Sequence, residues 1–108
     1  MNPTTFNALA EPNRFHIVEL LRDKPHPVGE IAGKLHLNQP QVSKHLKVLA
    51  DAGIVEVKPF AQQRIYELQP QPFQELAAWV HSYRLLWEER FDRLDKVLRA
   101  EKKKIIKK

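Results

Sequence analysis

Amide, hydroxyl and basic side chains are concentrated on one side of a short segment in the middle of the chain. On a helical wheel of about 100° per residue, Val42, Leu46 and Leu49 share one narrow arc. Polar side chains occupy the rest of the surface, at Gln39, Gln41, Ser43, Lys44, His45 and Lys47. No acidic residue precedes Asp51 in this segment, although an exposed helix usually carries both charges. Because amides bond adenine edges, serine bonds bases or phosphate and lysine neutralises phosphate, the pattern predicts a DNA-reading helix; the alternative is an ordinary solvated face.

A second polar cluster follows about 10 to 20 residues later and favours the same interpretation. The segments 54–58 and 64–68 are rich in β-branched and aromatic residues that alternate with polar ones, which is typical of strands. The link between them, residues 59–63, is short enough for a hairpin. The predicted wing, about 54–68, carries its polar side chains near the tip, at Lys58, Gln62, Gln63 and Arg64. Such a tip suits contact with the DNA backbone or minor groove; an exposed turn is the alternative.

Capping and stop residues define the helix that carries the polar residues 39–47. Val28, Ile31, Ala32 and Leu35 have the i, i+3, i+4, i+7 spacing of an amphipathic helix. After only three residues, Asn38 is a good N-cap for a second helix, and Gln41 three positions later completes a capping-box pattern. Gly53 supplies the stop. This spacing predicts a helix-turn-helix over about 28–50.

A long C-terminal helix is predicted over about 73–102, and its apolar residues recur at intervals of 3 and 4. At roughly 30 residues it would be about 45 Å long, too long for so small a domain to cover. Packing within one chain can absorb only the first turns, so the exposed remainder predicts an isologous homodimer. The candidate interface comprises Phe6 from a short first helix and, from the long helix, Phe73, Leu76, Val80, Tyr83, Trp87, Phe91 and Leu94.

Composition sets the outer bounds of the molecule. A chain of 108 residues with 43% hydrophobic and 29% charged residues is predicted to form one domain, 1–108. The net charge is +5, but the tail 101–108 carries five lysines and one acid, so bulk basicity is weak evidence for nucleic acid; this tail is expected to be solvated and frayed. The longest apolar run has five residues, and the first residues lack a signal-peptide pattern. We therefore expect a cytoplasmic protein without a membrane partner.

Several chemistries are excluded or disfavoured. The chain has no cysteine, which removes disulfides, thiolate metal sites and cysteine nucleophiles. Its five histidines include no i, i+3 or i, i+4 pair. Carboxylates of the long helix fall into i, i+4 ion pairs with the acid first, at Glu89 and Arg93, Asp92 and Lys96, and Asp95 and Arg99. We therefore predict no cofactor, no metal site and no enzymatic activity.

Three stretches, 6–14, 28–35 and above all 39–55, resemble the ArsR family of bacterial winged-helix regulators. The match covers about 6–68, and the helix sequence from Gln39 to Leu49 is its most specific part. The resemblance implies a winged helix-turn-helix, mostly α with a small β-hairpin and a long C-terminal dimerisation helix. It also implies a homodimeric repressor that binds a palindromic double-stranded DNA operator. The family's recognition-helix positions fall on the six polar residues of 39–47, and its wing positions on Arg64 and its neighbours.

Two departures from the family pattern bear on function. Metal-sensing members carry cysteines at the start of the third helix, where this chain has Pro27-Val28-Gly29, and His81 with Glu88 or Glu89 does not match the metal site of other members. The wing usually contains glycine, whereas Ala61-Gln62-Gln63 has none. Two alternatives remain open: a small-molecule-responsive repressor with an aromatic pocket at the dimer interface, near Trp79, Tyr83 and Trp87, and a protein–protein interaction module.

Overall fold

The chain folds into five helices and three short strands over the part that the structure, a computed structural model, describes. The backbone is described for residues 2–106 and the side chains for residues 2–102. In chain order the elements are α1 (Pro3–Ala10), α2 (Pro12–Leu21), β1 (His26–Pro27), α3 (Val28–Leu35), α4 (Gln39–Asp51), β2 (Val55–Phe60), β3 (Gln63–Leu68) and α5 (Pro70–Ile106). Two compact units can be separated, one ending at Glu75 and one beginning at Leu76. The predicted class, mostly helical with a small β-hairpin and a long last helix, is confirmed.

The first unit has one hydrophobic core, which α2, α3, α4 and the start of β2 enclose. The apolar stripe predicted for α4 is confirmed, because Val42, Leu46 and Leu49 are fully buried. They meet the equally buried Ile17 of α2 and Ile31 of α3 in one cluster. Since these residues face inward, the polar residues between them on α4 face outward.

Two reciprocal caps join α1 to α2. The carboxylate of Glu11 accepts a hydrogen bond from the Arg14 backbone N–H at 2.8 Å and so caps α2. The Arg14 guanidinium reaches back to the end of α1 and donates to the carbonyls of Ala8, at 2.6 Å, and Asn7, at 3.3 Å. A cation at a helix C-terminus satisfies the last carbonyls and complements the helix dipole. These two caps fasten the break between α1 and α2.

A third strand extends the predicted hairpin into a small sheet. Strand β1 pairs antiparallel with β3, with His26 opposite Tyr66 and Pro27 opposite Ile65, and the strand order is β1-β3-β2. In the sequence, the prolines of residues 24–27 indicate only the end of a helix. The strand His26–Pro27 has two residues, too few to show the alternating pattern of a strand. The strand ties the start of α3 directly to the wing.

Helix α5 is longer than predicted at both ends. It begins at Pro70 rather than near 73 and continues to Ile106 rather than 102. The backbone of residues 101–106 is helical, since lysine is a good helix former and no glycine or proline intervenes; the fraying expected for the basic tail stays a prediction. Lys107 and Lys108, the end of that predicted tail, lie outside the described residues.

Candidate nucleic-acid interface

The start of α4 is fixed by the predicted capping box. The Asn38 side chain accepts from the Gln41 backbone N–H at 2.9 Å, and Gln41 Oε1 accepts from the Asn38 N–H at 3.2 Å. At the other end, Gly53 has a φ of 76°, the left-handed conformation expected of the stop residue. Because the amide oxygen of Gln41 is engaged in the cap, its amide nitrogen is the group that can donate to a base.

The turn between α3 and α4 is tight because His36 adopts a left-handed conformation, with a φ of 56°. Its backbone N–H and that of Leu37 return to the end of α3, Leu37 bonding the Ala32 carbonyl at 3.0 Å. This closes α3 in the manner of a Schellman cap. The helix-turn-helix predicted over about 28–50 thus spans α3 and α4, Val28–Leu35 and Gln39–Asp51.

Five of the six polar residues predicted on α4 form one exposed surface, which we call the polar face of α4: Gln39, Gln41, Ser43, Lys44 and Lys47. The sixth, His45, is set apart. Its side chain is half-buried, and Nδ1 lies 3.6 Å from Oε2 of Glu11, the residue that caps α2. The structure therefore turns His45 toward α2, and its part in DNA binding stays a prediction.

The wing is a tight hairpin although it lacks glycine. Pro59 pairs with Arg64 and Phe60 with Gln63, so only Ala61 and Gln62 form the connection. Ala61 has a φ of 56°, at the first position of the turn, where two-residue hairpins of this kind favour glycine. The left-handed conformation costs an alanine roughly 1–2 kcal/mol. The absence of glycine thus strains the turn of the wing but does not lengthen the turn.

The wing and the polar face of α4 meet across an open groove of about 640 Å³, which we call the wing groove. It is lined by Gln39 from α4, by Gln62, Gln63 and Arg64 from the wing, and by Pro27 to Glu30 at the start of α3. A Cβ at Gly29 would lie only 3.3 Å from Nε2 of Gln39, so glycine there allows α3 to approach the first residue of α4 closely. The structure therefore brings the tip of the wing and Gln39, the first residue of the polar face of α4, to one groove.

A buried histidine supports this groove, and no pattern in the sequence indicates it. His26 in β1 is 1% exposed, and its Nδ1 lies 3.1 Å from Oε1 of Glu30. Lys34 Nζ approaches the same carboxylate at 3.6 Å. Desolvation acts to raise the pKa of Glu30, but the close contact with His26 and the charges of His26, Lys34 and Lys24 outweigh it, so the pKa is lowered. The carboxylate is thus held ionised beside the histidine, linking β1 to α3.

The candidate dimerisation residues fall into two groups. Phe73 is half-buried against the core of its own chain, and Leu76 is half-buried. The others are exposed: Phe6 on α1, and Val80, Tyr83, Trp87, Phe91 and Leu94 on α5. The first turn of α5 therefore packs against the core of its own chain through Phe73, as expected for packing within one chain. The apolar stripe beyond this turn is exposed.

Aromatic side chains of the second unit pair with one another along α5. The rings of Trp79 and Tyr83 meet edge to face at 5.1 Å, and the Arg90 guanidinium lies 5.1 Å from the Trp87 ring. Ion pairs join Glu89 to Arg93 at 2.6 Å and Asp95 to Arg99 at 3.1 Å, as predicted for the polar flank. The third predicted pair, Asp92 with Lys96, is not formed among the side chains that the structure describes, because neither side chain of this exposed pair is held in place. These contacts account for the aromatic residues without a ligand, and nothing favours the small-molecule pocket over them.

The part of the chain that the structure describes contains neither a cluster of metal-binding side chains nor a helix that could span a membrane. In that part of the chain, no three acidic or histidine side chains are grouped so that they could hold a metal ion. Neither α5, which is too polar, nor any shorter helix there meets the requirements of a membrane span.

Comparison with known proteins identifies the family. Residues 11–57 match the model of "Bacterial regulatory protein, arsR family". The chain is 43% identical over 61 residues to the HTH-type transcriptional repressor SmtB of Mycobacterium tuberculosis, which covers 56% of this chain and 45% of SmtB. It is 31% identical over 74 residues to the transcriptional activator HlyU of Vibrio cholerae, which covers 68% of each chain.

A solved structure agrees with these relatives. The homodimeric winged helix-turn-helix DNA-binding domain of a possible ArsR-family regulator from Mycobacterium bovis superimposes with a TM-score of 0.64 at 26% identity, covering 76% of each chain. The chain spans only 61% and 45% of the length of two Mycobacterium tuberculosis relatives. The matched segment contains α2, α3, α4 and the start of the wing, and so includes the polar face of α4 and the α3 side of the wing groove. By this match and by its identity to HlyU over two thirds of both chains, the chain belongs to the arsR family of bacterial regulatory proteins.

Proposed function

We propose that this protein is a sequence-specific double-stranded DNA-binding regulator of transcription. The observation that carries the proposal is the polar face of α4, which is exposed, free of acidic residues and adjacent to the wing groove. A surface with this chemistry can read base edges in a major groove while cations beside it contact phosphates. The family to which the chain belongs supports the same function.

The contacts divide by chemistry. Gln39, Gln41, Ser43 and Lys44 lie in the first half of α4, the part of a recognition helix that contacts base edges. Lys47, one turn further along, and Arg64 in the wing are assigned to phosphates, with Gln62 and Gln63 beside Arg64 as further backbone or minor-groove contacts. His45 is assigned a phosphate contact as well, made from its position beside Glu11. These assignments together constitute the proposed DNA-binding site.

The active species that we propose is a homodimer built on α5. Val80, Tyr83, Trp87, Phe91 and Leu94 form an exposed apolar stripe, and a second copy of the chain is the simplest partner for such a surface. Phe6 of α1 is assigned to the same interface. Two-fold symmetry would place two α4 helices in successive major grooves, about 34–36 Å apart, on a palindromic operator. The homodimeric state of the Mycobacterium bovis relative supports this assembly.

Repression is the proposed regulatory outcome. A dimer that covers two turns of promoter DNA excludes polymerase by occupying its site. The relative of higher identity, SmtB, is named a repressor, whereas HlyU is named an activator. A protein with this function works on chromosomal DNA, so we place it in the cytoplasm.

Selection of bound sequences from a random duplex pool tests the proposal. The expected result is a palindrome whose half-sites lie 10 to 11 base pairs apart, centre to centre, bound by a particle of twice the chain mass in sedimentation equilibrium. A control protein carrying Lys44→Glu and Lys47→Glu should keep the same mass and enrich nothing. A monomer that enriches no sequence would contradict the proposal and favour a protein-interaction module.

A further inference from the structure

An aromatic ring stands at the tip of the wing without an apolar neighbour across the hairpin. Phe60 is 71% exposed, the largest value among the bulky apolar side chains of residues 2–102. Its cross-strand partner is the polar Gln63. Burying a phenylalanine side chain is favourable, and the folded monomer forgoes most of that gain here. The ring is therefore available to a binding partner.

The backbone around Phe60 is stiff. Pro59 precedes it and has a fixed φ, and Ala61 follows it with a φ of 56°. Both neighbours belong to a paired strand or to the two-residue connection. Because the ring is carried on a constrained tip, little backbone freedom is lost when it is inserted into another molecule.

The charges near the ring indicate the chemistry of its partner. From residue 58 to residue 64 the chain carries Lys58 and Arg64 and no acidic residue. Lys58 is anchored by Glu67 at 2.6 Å, whereas Arg64 lines the wing groove beside Gln39. A single ring among cations and amides is too small an apolar patch for a protein interface. The ring is instead of a size to enter a narrow gap in a negatively charged polymer.

We propose that Phe60 inserts between base pairs in the minor groove that flanks each major-groove contact of α4. Apolar side chains that enter the minor groove in this way partly unstack a base step and bend the duplex by 20–90° toward the major groove. Phe60 would thereby favour a flexible pyrimidine–purine step at a position that α4 does not touch. This inference rests on the proposed function, because it requires α4 to occupy the neighbouring major groove.

The test uses the full-length protein and the operator obtained by selection. Phe60→Ala removes the ring, and Phe60→Leu keeps an apolar wedge. The matched control is Phe15→Ala, which removes a half-exposed ring from α2, outside the helix-turn-helix and the wing. Three quantities are measured for each protein: the affinity, the bend angle by energy transfer between the duplex ends, and the fluorescence of 2-aminopurine placed at the flanking step.

The parent protein should bend the operator and raise the 2-aminopurine fluorescence. Phe60→Ala should lose both effects and bind roughly tenfold more weakly, while Phe60→Leu and Phe15→Ala should retain them. Equal bending and fluorescence with the parent and with Phe60→Ala would overturn the wedge, and so would a straight operator in the parent complex. In either case tight binding to the selected palindrome would leave the proposed function intact, whereas failure of the parent to bind any duplex would refute both.

Discussion

At the scale of single residues, Gln41 has two tasks that one substitution can separate. Its amide oxygen completes the cap of α4, and its amide nitrogen is proposed to contact a base. Gln41→Glu keeps a capping side chain but places a negative charge on the polar face. We expect the melting temperature to stay within a few degrees of the parent value and operator affinity to fall at least tenfold, as measured by calorimetry and fluorescence anisotropy. Parental affinity in Gln41→Glu would show that α4 does not face the bases.

Lys47 should act on all DNA sequences alike. If it contacts a phosphate, Lys47→Ala weakens binding to operator and random duplex by the same factor and lowers the slope of log K against log salt by about one. Titrations at four salt concentrations measure this slope. The control is Lys96→Ala on α5, which should leave the slope unchanged; a loss of affinity confined to the operator would assign Lys47 to a base instead.

The Glu30 carboxylate predicts a pH dependence of stability. Its pKa is lower in the folded chain than its ordinary value near 4.3. Ionisation of Glu30 therefore stabilises the fold at pH values above about 4.3, and this contribution is lost as the pH falls through the lowered pKa. Urea unfolding at pH 5 and pH 3 should show a smaller drop in the free energy of unfolding for Glu30→Gln than for the parent. Equal drops would mean that the contact with His26 has no energetic weight.

At the scale of elements, the wing carries strain that one substitution should relieve. Ala61 adopts a left-handed conformation that costs roughly 1–2 kcal/mol, whereas glycine pays about 0.5–1 kcal/mol in the unfolded state. Ala61→Gly should therefore stabilise the domain by about 0.5 kcal/mol, measured by urea unfolding. Gly53→Ala is the reverse case, with a φ of 76° and no clash for the added Cβ, and should destabilise it by about 0.5 kcal/mol. A less stable Ala61→Gly protein would contradict this account of the turn.

The stripe on α5 has a period that indicates how two helices pair. From Leu76 to Leu98 the positions 76, 80, 83, 87, 91, 94 and 98 advance 22 residues in six steps. The average of about 3.7 residues matches the 11-residue repeat of straight or right-handed pairs rather than the 3.5 of a left-handed coiled coil. The proposed dimer should therefore pair nearly straight helices.

Phe91→Glu tests this interface. A buried charge in the middle of the stripe should shift the dimer dissociation constant upward by at least a hundredfold, measured by sedimentation equilibrium. Ser82→Glu introduces the same charge on the opposite side of α5 and should leave the dimer intact. Dissociation by both variants, or by neither, would rule out the stripe as the contact surface.

At the scale of the whole molecule, prediction from sequence succeeded where capping and stop residues mark the ends of an element. Asn38, Gln41 and Gly53 mark both ends of α4, and the spacing of its apolar residues leaves one possible buried side. It failed where structure depends on distant partners. Strand β1 exists only because β3 lies beside it, and His45 is turned from its neighbours by Glu11, which is 34 positions away. No local pattern contains such contacts.

The residues of the candidate site could be predicted from the sequence, but the way in which the fold brings them together could not. Both polar clusters can be chosen from the sequence because their composition is unusual. Their meeting across the wing groove depends on the tight turn at His36 and on the pairing of His26 with Tyr66. Each is a backbone property that the residue type permits but does not specify.

The pairing of β1 with β3 has a consequence for how this regulator can diversify. Because the two residues just before α3 pair with the middle of β3, the framework, and not the loop 59–63, sets the distance between the two elements that we propose contact DNA. Residues 59–63 can therefore be exchanged between relatives as one segment without changing the position of the wing relative to α4. Such an exchange would alter which flanking bases are preferred while the footprint keeps its length.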